Sequence, residues 1–257
     1  MTRTDSLQST NTTTSHKYPR FLEMLSPQDR AYLVSIATEK VMKKEQLLYH
    51  QGDPSDNLFV LLSGAIKVHY VHDNGNSLTT FYYRDGMLVG AHGCTEWSGS
   101  HSWTAQAVAD CRLLWIRRPD FLAFVNQSAQ ALRCVLAVQE FKGEQLKRVI
   151  RILAEPTLEG RIAMAIRHFA SLYGLRRGNE IEIDGHITHQ EIAEMVGASR
   201  QSVTTLLVSL EKSGQIRREG RRLFIPAMPA RREHAEASPV PVRLVSGGRN
   251  TRVPLSV

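Results

Sequence analysis

The chain has 257 residues, with 32 Lys and Arg against 25 Asp and Glu, a formal net charge of +7 and a pI near 9.5. That length holds two compact domains with sizeable cores, and the basic balance favours a polyanionic partner. No apolar run is long enough for a membrane span, the Ser/Thr-rich start lacks a signal-peptide core, and Cys94, Cys111 and Cys134 are too scattered for a disulfide framework or a Cys-x-x-Cys metal knuckle.

Taken in order, residues 1–16 are polar and aperiodic and read as a disordered start. Residues 18–37 read as helical, with Phe21, Leu22, Leu25, Tyr32, Leu33 and Ile36 on the apolar side and a break at Ser26 and Pro27. From Glu39 to Ile116 the period changes to two. Ile66, Val68 and Tyr70 alternate with Lys67, His69 and Val71, and Asp73, Asn74, Gly75 and Asn76 form a hairpin signal before the return at 78–83. About eight short strands with turns at this spacing predict an antiparallel β-roll of the jelly-roll kind over 17–117.

Residues 118–155 turn helical again, with Pro119 suited to a first turn. Leu132, Val135, Val138, Phe141, Leu146, Val149 and Leu153 recur at about the 3.5-residue spacing of a coiled coil. They are expected to form the seam of a homodimer, packing on their own barrel being the alternative. Pro156 breaks the helix, and 158–172 is a further amphipathic helix.

Residues 187–226 carry the strongest pattern. Ile192, Met195 and Val196 share one face of a short helix, Ala193 is small where a second helix must cross, and Gly197 follows where a left-handed backbone costs glycine least. Ser199 is a good N-cap for a second helix, whose buried stripe is Val203, Leu206, Leu207 and Leu210. The opposite face keeps Arg200, Gln201, Thr204, Thr205 and Val208. Ile216 and residues 223–225 read as two strands around Glu219 and Gly220, beside Arg217, Arg218, Arg221 and Arg222. This is a helix-turn-helix with a wing over 156–227, a shape that delivers its second helix to a major groove. Residues 228–257 hold five arginines against two glutamates and read as a disordered basic tail, either inert or adding nonspecific DNA affinity. No Ser/His/Asp, paired-carboxylate, P-loop or HExxH pattern appears, so an enzyme is not expected; Glu191 and Glu194 read as solvent-face or helix-start charges.

A β-roll, a long helix and a winged helix-turn-helix in this order resemble the Crp/Fnr family of bacterial transcription regulators. The likeness is carried by Tyr49, His50, Gln51, Gly52, Asp53 and Pro54, by the run FVLLSGAIKV at 59–68, by LEGRIA at 158–163 and most closely by 187–203. The resemblance implies an α+β, cytoplasmic, homodimeric regulator of double-stranded DNA that meets RNA polymerase if it is an activator. It implies that Arg200 reads guanine, that Gln201 and Thr205 face bases beside it, that Ser202 takes either a base edge or phosphate, and that Ser199 caps the reading helix. Thr188, His189 and Gln190 are implied to face phosphate at a helix start, with His189 standing where the family has arginine. Arg217, Arg218, Arg221 and Arg222 are expected to meet phosphates from the wing. A winged helix that docks protein within a signalling module remains the alternative.

The family's cyclic-AMP branch grips the nucleotide with a Gly-Glu step followed by an Arg-Ser pair. Here Gly90 stands, but Ala91 takes the glutamate position, His101 and Ser102 stand near the second half, and no arginine lies between Asp85 and Cys111. A cyclic phosphate needs a fixed cation or a nest of donors, so cyclic AMP is not the expected effector. The N-terminal cysteine cluster of the iron–sulfur branch is missing. His92 and Cys94 keep a haem- or metal-sensing alternative open. The favoured reading is an unidentified small organic or aromatic acid in a cleft lined by Gly90, Ala91, His92, His101, Ser102 and Trp103 from the barrel and Leu146 and Val149 from the helix.

Overall fold

The computed structural model describes residues 18–73, 75–90, 99–183, 187–220 and 222–227. The N-terminal stretch and the C-terminal tail expected to be disordered lie outside the described residues, as do Ala91, His92, Cys94 and Arg221.

The described chain opens with Phe21–Met24 (α1) and Pro27–Ser35 (α2). The break between them has a local cause: Ser26 Oγ accepts from the Asp29 N–H at 3.0 Å, and Pro27 fills a first-turn position where no N–H is needed. Eight strands follow. They are Thr38–Met42 (β1), Leu47–Tyr49 (β2), Asn57–Ser63 (β3), Ile66–Val71 (β4), Ser77–Tyr83 (β5), Leu88–Val89 (β6), Thr104–Ala107 (β7) and Cys111–Arg117 (β8). They pair antiparallel in two four-stranded sheets, β1-β8-β3-β6 and β2-β7-β4-β5. Leu61, Ile66, Met87, Val89 and Leu113 fill the space inside the roll. Gly64 turns the chain between β3 and β4 with φ +104°, and a Cβ there would come within 2.5 Å of the Asp110 carbonyl.

The β4–β5 ladder slips between Val68 and His69, which face Phe81 and Thr79. Thr80 is the extra residue of this bulge. Beyond it the strand is two-faced. Phe81 and Tyr83 turn toward the long helix, Phe81 meeting Phe141 edge-on at 6.2 Å. Tyr82 turns the other way and meets Phe169 of the C-terminal half edge-on at 5.7 Å.

The single helix expected over 118–155 is two: Arg118–Gln127 (α3) and Ala129–Ala154 (α4), bent by 116°. Ser128 is the reason. Its backbone is extended and its Oγ accepts from the Ala131 N–H at 3.1 Å, so it caps a new helix instead of continuing the old one. No single described helix is long and apolar enough to cross a membrane.

The expected seam needs correction. Val135, Val138 and Val149 are buried inside the chain, at 4%, 0% and 1% exposure, and Phe141 is half-buried against the barrel. Val135 and Val138 pack with Phe121, Phe124, Leu114 and Ile116 under α1 and α2. The error is one of phase. Steps of three residues fall about 60° short of a helical turn, so Leu132, Val135, Val138 and Phe141 walk roughly half-way round the cylinder. The stripe that stays on one outer line is Leu132, Leu136, Gln139, Gly143, Leu146, Ile150 and Leu153, alternating four and three. Leu132, Leu136, Leu146 and Ile150 are 47%, 59%, 47% and 57% exposed.

The C-terminal half comprises Leu158–Tyr173 (α5), Gly174–Arg177 (β9), Glu180–Ile183 (β10), His189–Val196 (α6), Arg200–Lys212 (α7), Arg217–Glu219 (β11) and Arg222–Pro226 (β12). Its sheet has four strands, ordered β11-β12-β10-β9, where two were expected. The β9–β10 hairpin is rich in charge and mostly exposed, which disguised it as a loop. Ile162, Ile166, Phe169, Ile192, Val196, Val203, Leu207 and Leu210 form the core beneath the sheet, and Tyr82 from the barrel joins it.

Candidate nucleic-acid interface and effector face

The two helices of the turn are fixed by local chemistry. Thr188 Oγ1 accepts from the Glu191 N–H at 3.2 Å, while the Glu191 carboxylate accepts from the Thr188 N–H at 2.6 Å, a complete capping box. Gly197 closes α6 in the left-handed region, φ +66°. Ser199 Oγ accepts from the Ser202 N–H at 3.1 Å and starts α7. Val203, Leu207 and Leu210 are buried; Arg200, Gln201, Thr205, Val208 and Ser209 are exposed, and Ser202 is half-buried. Among the described residues Arg200 has no ion-pair partner, so its guanidinium is available to a base edge.

Two hydroxyls on this face are already committed. Thr205 Oγ1 donates to the Gln201 carbonyl at 3.1 Å, and Thr204 Oγ1 donates to the Arg200 carbonyl at 2.8 Å. The His189 Nδ1 lies 2.9 Å from the same Thr204 oxygen. Because that hydroxyl spends its proton on Arg200, the His189 Nδ1–H is the donor, and the neutral ring keeps no proton at Nε2. Burial, then Arg218 and Arg200, hold His189 below the usual histidine value.

The described wing arginines are not the free cations that the sequence suggested. Arg217 donates to both oxygens of Glu180, at 3.1 and 2.6 Å, contacts Glu219, and lies 4.0 Å over the Phe224 ring. Arg218 donates to Glu211 at 2.9 Å, and Arg222 to Glu182 at 3.3 Å, a carboxylate shared with Arg177 at 2.9 Å. Hydrogen bonds from these arginines hold Glu180, Glu182 and Glu211 below the usual carboxylate range. The wing is therefore close to neutral, which lowers its attraction for phosphate.

Of the two glutamates expected as solvent-face or helix-start charges, Glu191 is a helix-start charge, the N3 member of the capping box, and neither lies on a solvent face. Both are 8% exposed, because α6 is pressed against the barrel. Glu194 Oε2 accepts from Lys67 Nζ of β4 at 3.0 Å and from Thr79 Oγ1 of β5 at 2.8 Å, and Oε1 accepts from Gln190 Nε2 at 3.1 Å. Burial opposes its charge, but Lys67 and these donors outweigh it and its carboxyl titrates below the usual value. Burial pushes Glu191 up.

On the barrel, those of the expected effector residues that are described do not converge. His101 lies face to face with Tyr49, ring centres 3.6 Å apart, and is buried. Burial holds it below the usual histidine value and outweighs Asp53 and Asp56, which disfavours the charged ring as an anion partner. Ser102 is exposed, and Trp103 lies edge-on to Tyr70 at 5.5 Å. Gly90 is buried, and its N–H donates to the Tyr83 hydroxyl. Leu146 points outward, whereas Val149 is buried. The groups that do meet between barrel and α4 are Phe81, Tyr83, Phe141 and Lys142, with Gln145 buried one turn further along the inner side of α4. Lys142 Nζ is 5.1 Å from the Tyr83 ring centre, and the Gln145 carbonyl oxygen is buried without a hydrogen-bond donor among the described residues. The signal that finds them is the inner phase of α4, where Val138, Phe141, Gln145, Val149 and Ile152 recur.

A β-roll joined by a long helix to a winged helix-turn-helix with an open reading face defines a DNA-binding transcription regulator. Residues 39–128 match the family model for a cyclic nucleotide-binding domain, and residues 160–230 match that for a Crp-like helix-turn-helix domain. The chain is 24% identical to a CRP-like cAMP-activated global transcriptional regulator of Mycobacterium tuberculosis, over 69% of this chain and 79% of that protein. In fold it is similar to the c-di-GMP-responsive global regulator CLP of Xanthomonas campestris, with a TM-score of 0.67 and 18% identity over 78% of this chain and 99% of CLP. It is also similar to CprK complexed with OCPA, with a TM-score of 0.61 and 16% identity over 78% of this chain and 91% of CprK. The chain belongs to the Crp/Fnr family of transcription regulators.

Proposed function

We propose that the protein acts in the cytoplasm as a homodimer that reads a two-fold related DNA site under the control of a small effector other than cyclic AMP. The observation that carries the DNA half is α7: a capped helix whose exposed line holds Arg200, without an ion-pair partner among the described residues, with Gln201 and Thr205 beside it. Two such helices, one per protomer, fit successive major grooves about 34 Å apart. Arg200 donates to guanine O6 and N7, Gln201 to an adjacent base, and the Thr205 methyl is open to a thymine methyl. The outer stripe of α4 supplies the seam.

The effector half rests on the barrel. His101 is stacked on Tyr49, and Phe81, Tyr83 and Phe141 offer aromatic surface near the Lys142 ammonium, with Gln145 buried on the same side of α4. That set suits a small aromatic acid, its ring on the aromatic edges and its carboxylate toward Lys142. The relatives' names include a cyclic mononucleotide and a cyclic dinucleotide, so this fold hosts more than one effector chemistry. If the operator lies where an activator's does, RNA polymerase is a further partner.

The test is direct. Wild-type protein is offered a random pool of duplex DNA, and the selected sequences are sequenced; an inverted repeat supports the reading. A protein that selects nothing, yet retains protein partners, would be a signalling module instead. Mass spectrometry of protein purified under native conditions then identifies any retained small molecule. Micromolar binding of cyclic AMP by calorimetry would overturn the effector half.

A further inference from the structure

We infer that Lys67 and Glu194 are positioning residues for DNA binding: they fix the first helix of the turn to the barrel in the one register that presents α7 outward. The inference rests on the DNA-binding reading above.

The geometry is specific to a joint between halves. Glu194 lies on α6, and its Oε2 takes one donor from β4 and one from β5, Lys67 Nζ at 3.0 Å and Thr79 Oγ1 at 2.8 Å. Its Oε1 takes Gln190, one turn earlier on α6 and at the DNA-facing end of that helix. The Glu194 and Lys67 side chains are only 9% and 14% exposed. A buried ion pair contributes little net stability, because removing both charges from water costs about what their attraction returns. What it adds is direction: donors from two barrel strands converge on one carboxylate oxygen, whose partner oxygen is held by Gln190 of the same helix, only if α6 lies at one height and one rotation against the barrel. An apolar contact of the same area would tolerate sliding.

The surroundings give this joint its leverage. Beyond it a cleft of about 710 Å³ separates the β4–β5 hairpin from the start of the reading helix, lined by His72, Ser77 and Leu78 on one wall and Gly197, Ala198 and Ser199 on the other. Tyr82 also packs into the core that α6 shares with α5, edge-on to Phe169 and with its carbonyl accepting from the Tyr173 hydroxyl at 3.1 Å, but these contacts are apolar or lie on α5, and the polar joint to α6 is the one Glu194 makes. With the Glu194 contacts made, Arg200, Gln201 and Thr205 stay exposed. β5 also carries Phe81 and Tyr83 on its opposite face, against α4. A shift of β5 caused by an effector on that face moves Thr79 and reaches Glu194 within one strand.

The experiment uses full-length protein and a duplex selected by the wild type from a random pool, with affinity measured by fluorescence anisotropy well below each variant's melting temperature. Lys67→Met and Glu194→Gln are each expected to weaken binding on the order of tenfold. The double variant is expected to fall no further than either single, because the two act as one unit. Lys67→Arg, which keeps the charge, is expected to restore most of the affinity, and it provides the readout if Lys67→Met does not fold. Variants that melt earlier but bind the duplex within twofold of wild type would make the pair merely structural and overturn the inference, and so would tighter binding. If the wild type selects no sequence at all, it is the DNA-binding reading that fails, which is a different result.

Discussion

The helices α4 and α7 both present one side to the chain's own core and leave the other exposed, but they announce this very differently. On α7 the two sides contrast: Val203, Leu207 and Leu210 inside, Arg200, Gln201 and Thr205 outside. On α4 both sides are apolar, with Val135, Val138 and Val149 inside and Leu132, Leu136, Leu146 and Ile150 outside. Amphipathic pattern reports orientation only where polarity differs between faces. A helix with two apolar stripes needs its phase resolved residue by residue, and an average spacing does not do that.

The largest effect that sharpens this contrast falls on the two faces of α4. Leu136→Glu or Ile150→Glu places a charge on the outer stripe and is expected to give a folded monomer whose affinity for a two-fold site drops by about a hundredfold. Val138→Glu puts the same charge into the core, where no partner exists for it, and is expected to unfold the protein instead. Analytical ultracentrifugation with circular dichroism separates the two. A folded dimer carrying Leu136→Glu would remove the outer stripe from the seam.

On α7 the expected loss is smaller. Arg200→Ala should cost about 1–3 kcal/mol at one base position and relax the preference there. Binding of shuffled and selected duplexes checks it: a uniform loss over both would make Arg200 a phosphate contact.

The same contrast explains what was legible beforehand. The turn from α6 to α7 was readable because each signal is local: the Ser199 cap, Gly197 and the apolar stripe lie within a few residues of one another. The eight strands of the roll were readable from their period. The Glu194 joint was not, because Lys67 is 127 residues away and each charge alone resembles an ordinary surface residue. The wing failed for the same reason. Arg217 and Glu180 are 37 residues apart, and counting arginines around Gly220 could not show that carboxylates from β10 and α7 already hold them. The β9–β10 hairpin, which supplies Glu180 and Glu182, was itself missed.

A next, smaller effect concerns His189. Its Nδ1–H is spent on Thr204, so only the protonated ring can donate from Nε2 to a phosphate. A phosphate contact therefore raises its pKa in the complex, and affinity should increase as pH falls from 8 toward 6, by roughly 0.5–1.5 kcal/mol. His189→Gln should flatten that profile. Identical pH profiles for wild type and variant would take His189 off the phosphate backbone.

The smallest effect is expected at the wing, and it decides whether paired arginines count as free ones. A full phosphate contact changes the slope of log affinity against log salt by about 0.9. Arg222 is committed to Glu182, and to reach phosphate it must give up that bond, so Arg222→Ala should change the slope by well under that amount. Glu182→Gln removes the competing charge from both Arg222 and Arg177 and should steepen the slope while tightening binding at low salt. If Arg222→Ala instead removes a whole unit, the guanidinium exchanges its carboxylate for phosphate on binding, and the wing's charge is held in reserve until DNA arrives.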